Sequence, residues 1–366
     1  MRILSVNAIV IILSLTVIAQ SSKKLSNIPV GASVKVTNGV GDVIIKSWNK
    51  QEIEAVYSNG ESTPEVKQSG NTITITNSRD YYSDDDAMVV TVPMNANLDI
   101  ATQGGGISIA TMNNGYINAA GMGGDIFISN QTTGMIKLST AGGGINVFSI
   151  NGSLSIRSSG GDISVGNIEK NLDIVTSGGE VYAGSVNGSA KITSSGGDIA
   201  VGFVKGNAAI TTGGGSISLG KAGSTSQLKT GGGEIAVTES WNTLSASSGG
   251  GDIYLGQHSG SLDITSGSGD INVTLIGTGK GNSTVKTGYG DIYLSVKSGL
   301  SLELQAVKNH SWEYDEDDFG ISSFLKAEKV TVDKKTKTVT ATYKLGTGEN
   351  KIKVMTGYGE ITILTK

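Results

Sequence analysis

Between residues 104 and 292 the apolar positions recur with a fixed step. Starting at Ile163 they fall at Ile163, Val165, Ile168, Leu172 and Ile174; starting at Ile145 the same offsets hold Val147, Ile150, Leu154 and Ile156. From Val181 they hold Ala183, Val186, Ala190 and Ile192. Offsets 0 and +2, then +9 and +11, are strand alternation twice per period. Each period therefore predicts two short strands, with a bend near offset +5 and turns at Asn151-Gly152, Asn187-Gly188 and a closing glycine step. No helical spacing survives in this region. Each period opens on one phrase, seen as Gly124-Asp125-Ile126, Gly161-Asp162-Ile163, Gly197-Asp198-Ile199 and Gly269-Asp270-Ile271. The step between copies is 19, 19, then 18 seven times, then 21 residues. Such a period marks one unit stacked on copies of itself.

Stacking places equivalent residues of neighbouring periods one strand spacing apart, about 4.8 Å. Inward Ile, Val and Leu then lie on their own kind, and several coils together bury a face that one coil cannot. The expected fold is all-β: a β-solenoid of about 18-residue coils. A left-handed hexapeptide helix would space its apolar residues by six, whereas the gaps here run 2, 3, 4, 2 and 7. A β-sandwich of hairpins is the competing architecture. Glycine precedes the variable residue of the phrase in every copy, which predicts positive φ or a corner with no room for Cβ. Four residues before the variable position stands a hydroxyl, as at Thr140, Ser158, Thr176, Ser194, Thr212, Thr230, Ser248 and Ser266, with Gly121 as the exception. Stacked hydroxyls can satisfy backbone groups at a turn.

The flanks divide the chain. Residues 1–19 read as a signal peptide: Met1-Arg2, an apolar run over 3–18, and a small-residue cleavage site ending at Ala19. Residues 20–100 form an irregular β segment that caps, and continues into, the regular coils of 101–299. Residues 300–345 leave the period as an acidic-aromatic excursion with a hairpin around Lys334-Lys335, and 346–366 supply a final coil.

Composition narrows the setting. The 54 glycines alternate with regularly spaced apolar residues and so belong to ordered turns. With no cysteine the chain has neither disulfides nor a lipid-attachment site, which suits a bacterial envelope. The expectation is a protein secreted to the periplasm or cell surface, without stable membrane insertion once the signal is cut. Removing Arg2 leaves 27 basic against 32 acidic residues, a net charge of −5 that argues against nucleic acid as a partner.

The variable position is acidic in nine of twelve copies. Asp162, Glu180 and Asp198 are the candidates for a weak cation ladder, calcium being the cation considered. The alternative is a row of exposed corner carboxylates bonded to their own turns. Neighbouring carboxylates about 4.8 Å apart in water repel by only about 1 kcal/mol, so the row is tolerable without a cation. Ligand contact is expected from outward side chains on the coils, or from two aromatic-acidic loops. Tyr81 and Tyr82 precede Asp84-Asp85-Asp86, and Trp312 and Phe319 flank the acidic run 313–318, which includes Tyr314. Enzyme chemistry is poorly supplied. His258 and His310 stand alone, no G-x-S-x-G or H-E-x-x-H motif occurs, and strands rather than helices follow the glycines. His258 takes an offset usually held by an apolar residue, which puts it on the coil side. No catalytic residue and no cofactor is expected.

Val92-Pro93, Asn97-Leu98-Asp99-Ile100, the repeated Ser/Thr-x-Gly-Gly-Asp-Ile coils and the ending Thr356-Gly357-Tyr358-Gly359-Glu360-Ile361 together resemble the toastrack-type β-solenoids, a bacterial family of candidate adhesins classed as a domain of unknown function. The resemblance covers about residues 26–366. It implies an extracytoplasmic β-solenoid that is adhesin-like or senses envelope ligands, with no catalytic residues attached. The reading is a non-enzymatic binding module that offers its coil faces and loops to an envelope or extracellular glycan or protein. A polysaccharide-active β-helix enzyme and a structural or envelope-stress sensing scaffold are the alternatives.

Overall fold

The structure is a computed structural model that describes residues 22–39, 41–58, 63–77, 87–113, 115–131, 134–279, 282–309 and 319–366. Its regular elements are all strands, wound into a β-solenoid of about 11 turns. Each coil contributes one strand to each of two sheets. Ile163–Ile168 belongs to the first and Leu172–Thr176 to the second. Both pair in parallel with the next coil at matched register: Ile163 opposes Val181, and Leu172 opposes Ala190. The core is the space between the sheets, where Ile163, Val165, Ile168, Leu172 and Ile174 are all buried.

The expected bend near offset +5 falls just after the first strand, at Glu169-Lys170 in this coil. In Ile163–Ile168 the in-out alternation slips once, because Gly166 and Asn167 both turn outward before Ile168 returns to the core. The ladder continues past that slip. Glycine suits it: a Cβ on Gly184 would lie 3.0 Å from the Gly166 carbonyl oxygen of the coil below.

Close approach also accounts for the invariant glycine of the phrase. A Cβ on Gly215 or Gly233 would overlap the carbonyl of the equivalent glycine one coil earlier. Of this column only Gly41, Gly161 and Gly179 take positive φ, so crowding rather than handedness is the common requirement. The buried hydroxyls join the same corners. Thr230 Oγ1 accepts from Gly233 N–H at 3.1 Å within its own coil and donates to the Gly215 carbonyl of the coil before at 2.7 Å. Ser266 does likewise between Gly269 and Gly251, at 2.9 and 3.0 Å.

Both ends are closed by strands out of sequence order. Ser33–Asn38 lies between Thr72–Thr76 and Asn97–Thr102, so the first coil in the chain is not the first in space. At the far end Asn350–Thr356 inserts between Asn282–Thr287 and Leu302–Asn309. Antiparallel strands then cover the exposed edges: Glu52–Tyr57 on Met88–Pro93 and Glu65–Ser69 on Thr72–Thr76 at one end. Thr338–Leu345 on Leu302–Asn309 and Lys329–Asp333 beyond it do so at the other. Charged, reversed edge strands discourage further pairing.

Candidate functional site

Parallel in-register stacking turns each offset into a column along the wall. The offset next to the phrase's apolar residue points outward from the first sheet. Its register runs Phe127, Asn146, Ser164, Tyr182, then Ala200, Ser218, Ala236, Tyr254, Asn272 and Tyr293. Phe127, Tyr182, Tyr254 and Tyr293 are all exposed, Tyr182 and Tyr254 by about half of their surface (55% and 50%). Among the described residues the second sheet's outer face carries no such column of aromatics; Tyr116, Met135 and Val175 are exposed there among residues such as Asp173, Lys191, Gln227, Lys229, Ser245 and Asp263.

Beside the aromatic column runs the carboxylate column. Asp162, Glu180 and Asp198 occupy successive coils at one exposed corner. Their hydrogen bonds differ from the expected bonding to their own turn. Asp162 Oδ1 accepts the N–H of Glu180 one coil on, at 2.8 Å, and Asp198 Oδ1 accepts that of Ser216 at 2.7 Å. Asp252, Asp270 and Asp291 repeat this at 2.7 to 2.8 Å. The corner N–H at offset −1 has no ladder partner, and an aspartate from the preceding coil is the right length to reach it. Among the described residues, Glu180 and Glu234 make no such bond. No group of three or more His, Asp or Glu side chains among the described residues is placed to hold a metal.

Glu180, Asp198, Ser216 and Glu234 line one edge of a shallow trough of about 470 Å³, with Tyr182 at one end and Ala200, Ser218 and Ala236 in its floor. A second groove, of about 530 Å³, opens at a break in the hydroxyl column, where Gly121 replaces a side chain. Ala101, Ala120, Met122, Ala141 and Arg157 line it. Asn38 Oδ1 and Thr140 Oγ1 on its wall are buried without a hydrogen-bond partner.

The remaining candidates fall elsewhere. Tyr81, Tyr82, Trp312 and Tyr314, like His310 and both acidic runs, lie outside the described residues. Phe319 is half-buried just before the strand Ile321–Ser323. His258 is fully buried in the inward column, with Nδ1 2.8 Å from Ser240 Oγ on the neighbouring coil. Burial pushes its imidazole down to about 4, so it is neutral near pH 7. Near Tyr293 the Asp291 carboxylate raises the phenol above its usual range. The sequence reading passed over Tyr182, Tyr254 and Tyr293. Their signal was the residue after each Gly-Asp/Glu-Ile/Val phrase, visible only once the offsets are read as columns.

The Toastrack DUF4097 family model matches residues 32–219, over half of the chain, and the chain belongs to that family. No curated protein matches it. Among solved structures it is similar to a candidate cell adhesion protein from Clostridium sporogenes, at 11% identity over 94% of this chain and 99% of that one, with a TM-score of 0.16. A candidate adhesin from Parabacteroides distasonis shares 16% identity over 70% of this chain and 94% of its own, with a TM-score of 0.23. One from Bacteroides fragilis shares 15% over 94% and 96%, with a TM-score of 0.19. No helix among the described residues is long and apolar enough to cross a membrane.

Proposed function

We propose that this member of the Toastrack family is a non-enzymatic, adhesin-like binding module of a bacterial envelope, secreted by a cleaved signal. Its partner, a glycan or a protein, lies along the outer wall of the first sheet, and Tyr81, Tyr82, Trp312, Tyr314 and Phe319 add contacts. The observation that carries this reading is the exposed column Phe127, Tyr182, Tyr254 and Tyr293 on the outer face of the first sheet. Exposed tyrosines supply rigid amphipathic contact area at small entropic cost, and their alignment suits a long partner.

The test is binding of the purified mature chain to a panel of envelope glycans and envelope extract. Tyr182→Ala/Tyr254→Ala should lower binding about tenfold or more, as removal of central aromatic anchors commonly does. A Lys191→Ala/Lys229→Ala variant on the second sheet should bind like the wild type. Equal binding by all three proteins would contradict the reading.

A further inference from the structure

Resting on the reading of the first sheet's outer wall as the binding face, we propose that the trough beyond Tyr182 takes an extended, arginine-bearing segment of a partner polypeptide, anchored by Glu180 and Glu234. Three features carry this. The trough has a shape: between the exposed Tyr182 and Tyr254 the column shrinks for three successive coils to Ala200, Ser218 and Ala236. Larger side chains at both ends leave a bed open to a backbone laid along the solenoid.

The trough also has a sign. Its lining holds Glu180, Asp198 and Glu234 and no lysine or arginine. The aspartates of this corner each give one oxygen to the next coil's N–H, and the two glutamates do not. One additional methylene carries the glutamate carboxylate past that N–H. Both of its oxygens then remain open to a donor, and both glutamates lie on the trough. Arginine fits this setting better than lysine, because its planar fork can pair with a carboxylate through two bonds while its face lies on the neighbouring Tyr182.

Finally, the spacing matches. Glu180 and Glu234 are three coils apart, about 14 Å at the strand spacing of about 4.8 Å. An extended chain advances about 3.3 Å per residue, so side chains four residues apart share a face and lie about 13 Å apart. Arginines at positions i and i+4 of the segment reach the two glutamates together.

The experiment uses the full mature chain and two labelled peptides of one composition, Arg-Ser-Thr-Ser-Arg and Arg-Ser-Arg-Thr-Ser. Binding is followed by fluorescence anisotropy at about 50 mM salt, where exposed charges are weakly screened. The peptide with the i, i+4 spacing should bind more tightly. Glu180→Gln/Glu234→Gln should weaken it about tenfold and remove the preference between the two peptides. Asp263→Asn, on the outer face of the second sheet, should change neither. Failure of the wild type to bind either peptide, or unchanged affinity in the double glutamine variant, overturns the proposal. The envelope panel separates this failure from that of the wall itself. Loss of panel binding in Tyr182→Ala/Tyr254→Ala, with the glutamine variant unaffected on both panel and peptide, keeps the wall and removes the basic segment. No loss in the tyrosine variant removes the wall.

Discussion

Burial of His258 gives the core one of its limits toward acid. His258 replaces an apolar residue in the inward column, next to Leu275 on one side and Ser240 on the other. Unfolded, its imidazole takes up a proton below about 6.5. Folded, it resists protonation until about 4. Between these values the unfolded chain binds more protons, so stability is full above about 6.5 and declines as pH falls through the window. The shift corresponds to roughly 3 kcal/mol at the acid end. Urea melts of the wild type and His258→Leu at pH 7 and pH 4.5 should show a steeper acid loss in the wild type. Parallel losses in the two proteins would mean that the buried imidazole does not set this limit.

At the scale of the coil, neighbouring glycines of one corner have different duties. Gly232 has nothing within 4 Å of an added Cβ, while at Gly233 that Cβ overlaps the Gly215 carbonyl of the coil below. Gly233→Ala should cost about 1–3 kcal/mol, as forced overpacking does, and Gly232→Ala should be near neutral. Thermal melting of the two variants distinguishes them, and equal melting temperatures would count against carbonyl crowding at the corner. The coil was largely legible in the chain. Two alternating pairs per period predicted its two strands, and the glycine column predicted either positive φ or a crowded corner, of which crowding is the common feature. The bend near offset +5 stands just past Ile168, whereas the slip in alternation at Gly166-Asn167 was not legible, because offsets of apolar residues alone do not show such a slip. Own-turn bonding, weighed for the corner aspartates beside a cation ladder, is not what forms, because a sequence does not say which coil's N–H is left unpaired. The backbone ladder decides that, and it leaves the next coil's.

For the molecule as a whole, the sequence period says that coils stack but not in what order at the ends. The insertion of Asn350–Thr356 between Asn282–Thr287 and Leu302–Asn309 follows from no local pattern, since all three strands carry the same alternation. It gives the last strands neighbours on both sides and passes the edge to antiparallel, charged strands such as Lys329–Asp333. The candidate site belongs to this scale as well. Tyr182 and Tyr254 are 72 residues apart in the chain and become members of one wall only through register.

That register can be measured directly. The chain has no cysteine, so Tyr182→Cys/Tyr254→Cys can be spin-labelled cleanly and the separation read by pulsed electron resonance. Four coils at the strand spacing place the two backbone positions about 19 Å apart, and the account predicts one narrow distribution near that value, broadened by the label arms. A distribution centred well beyond 30 Å, or one without a dominant distance, would contradict coil-on-coil stacking and remove the wall on which the proposed binding depends.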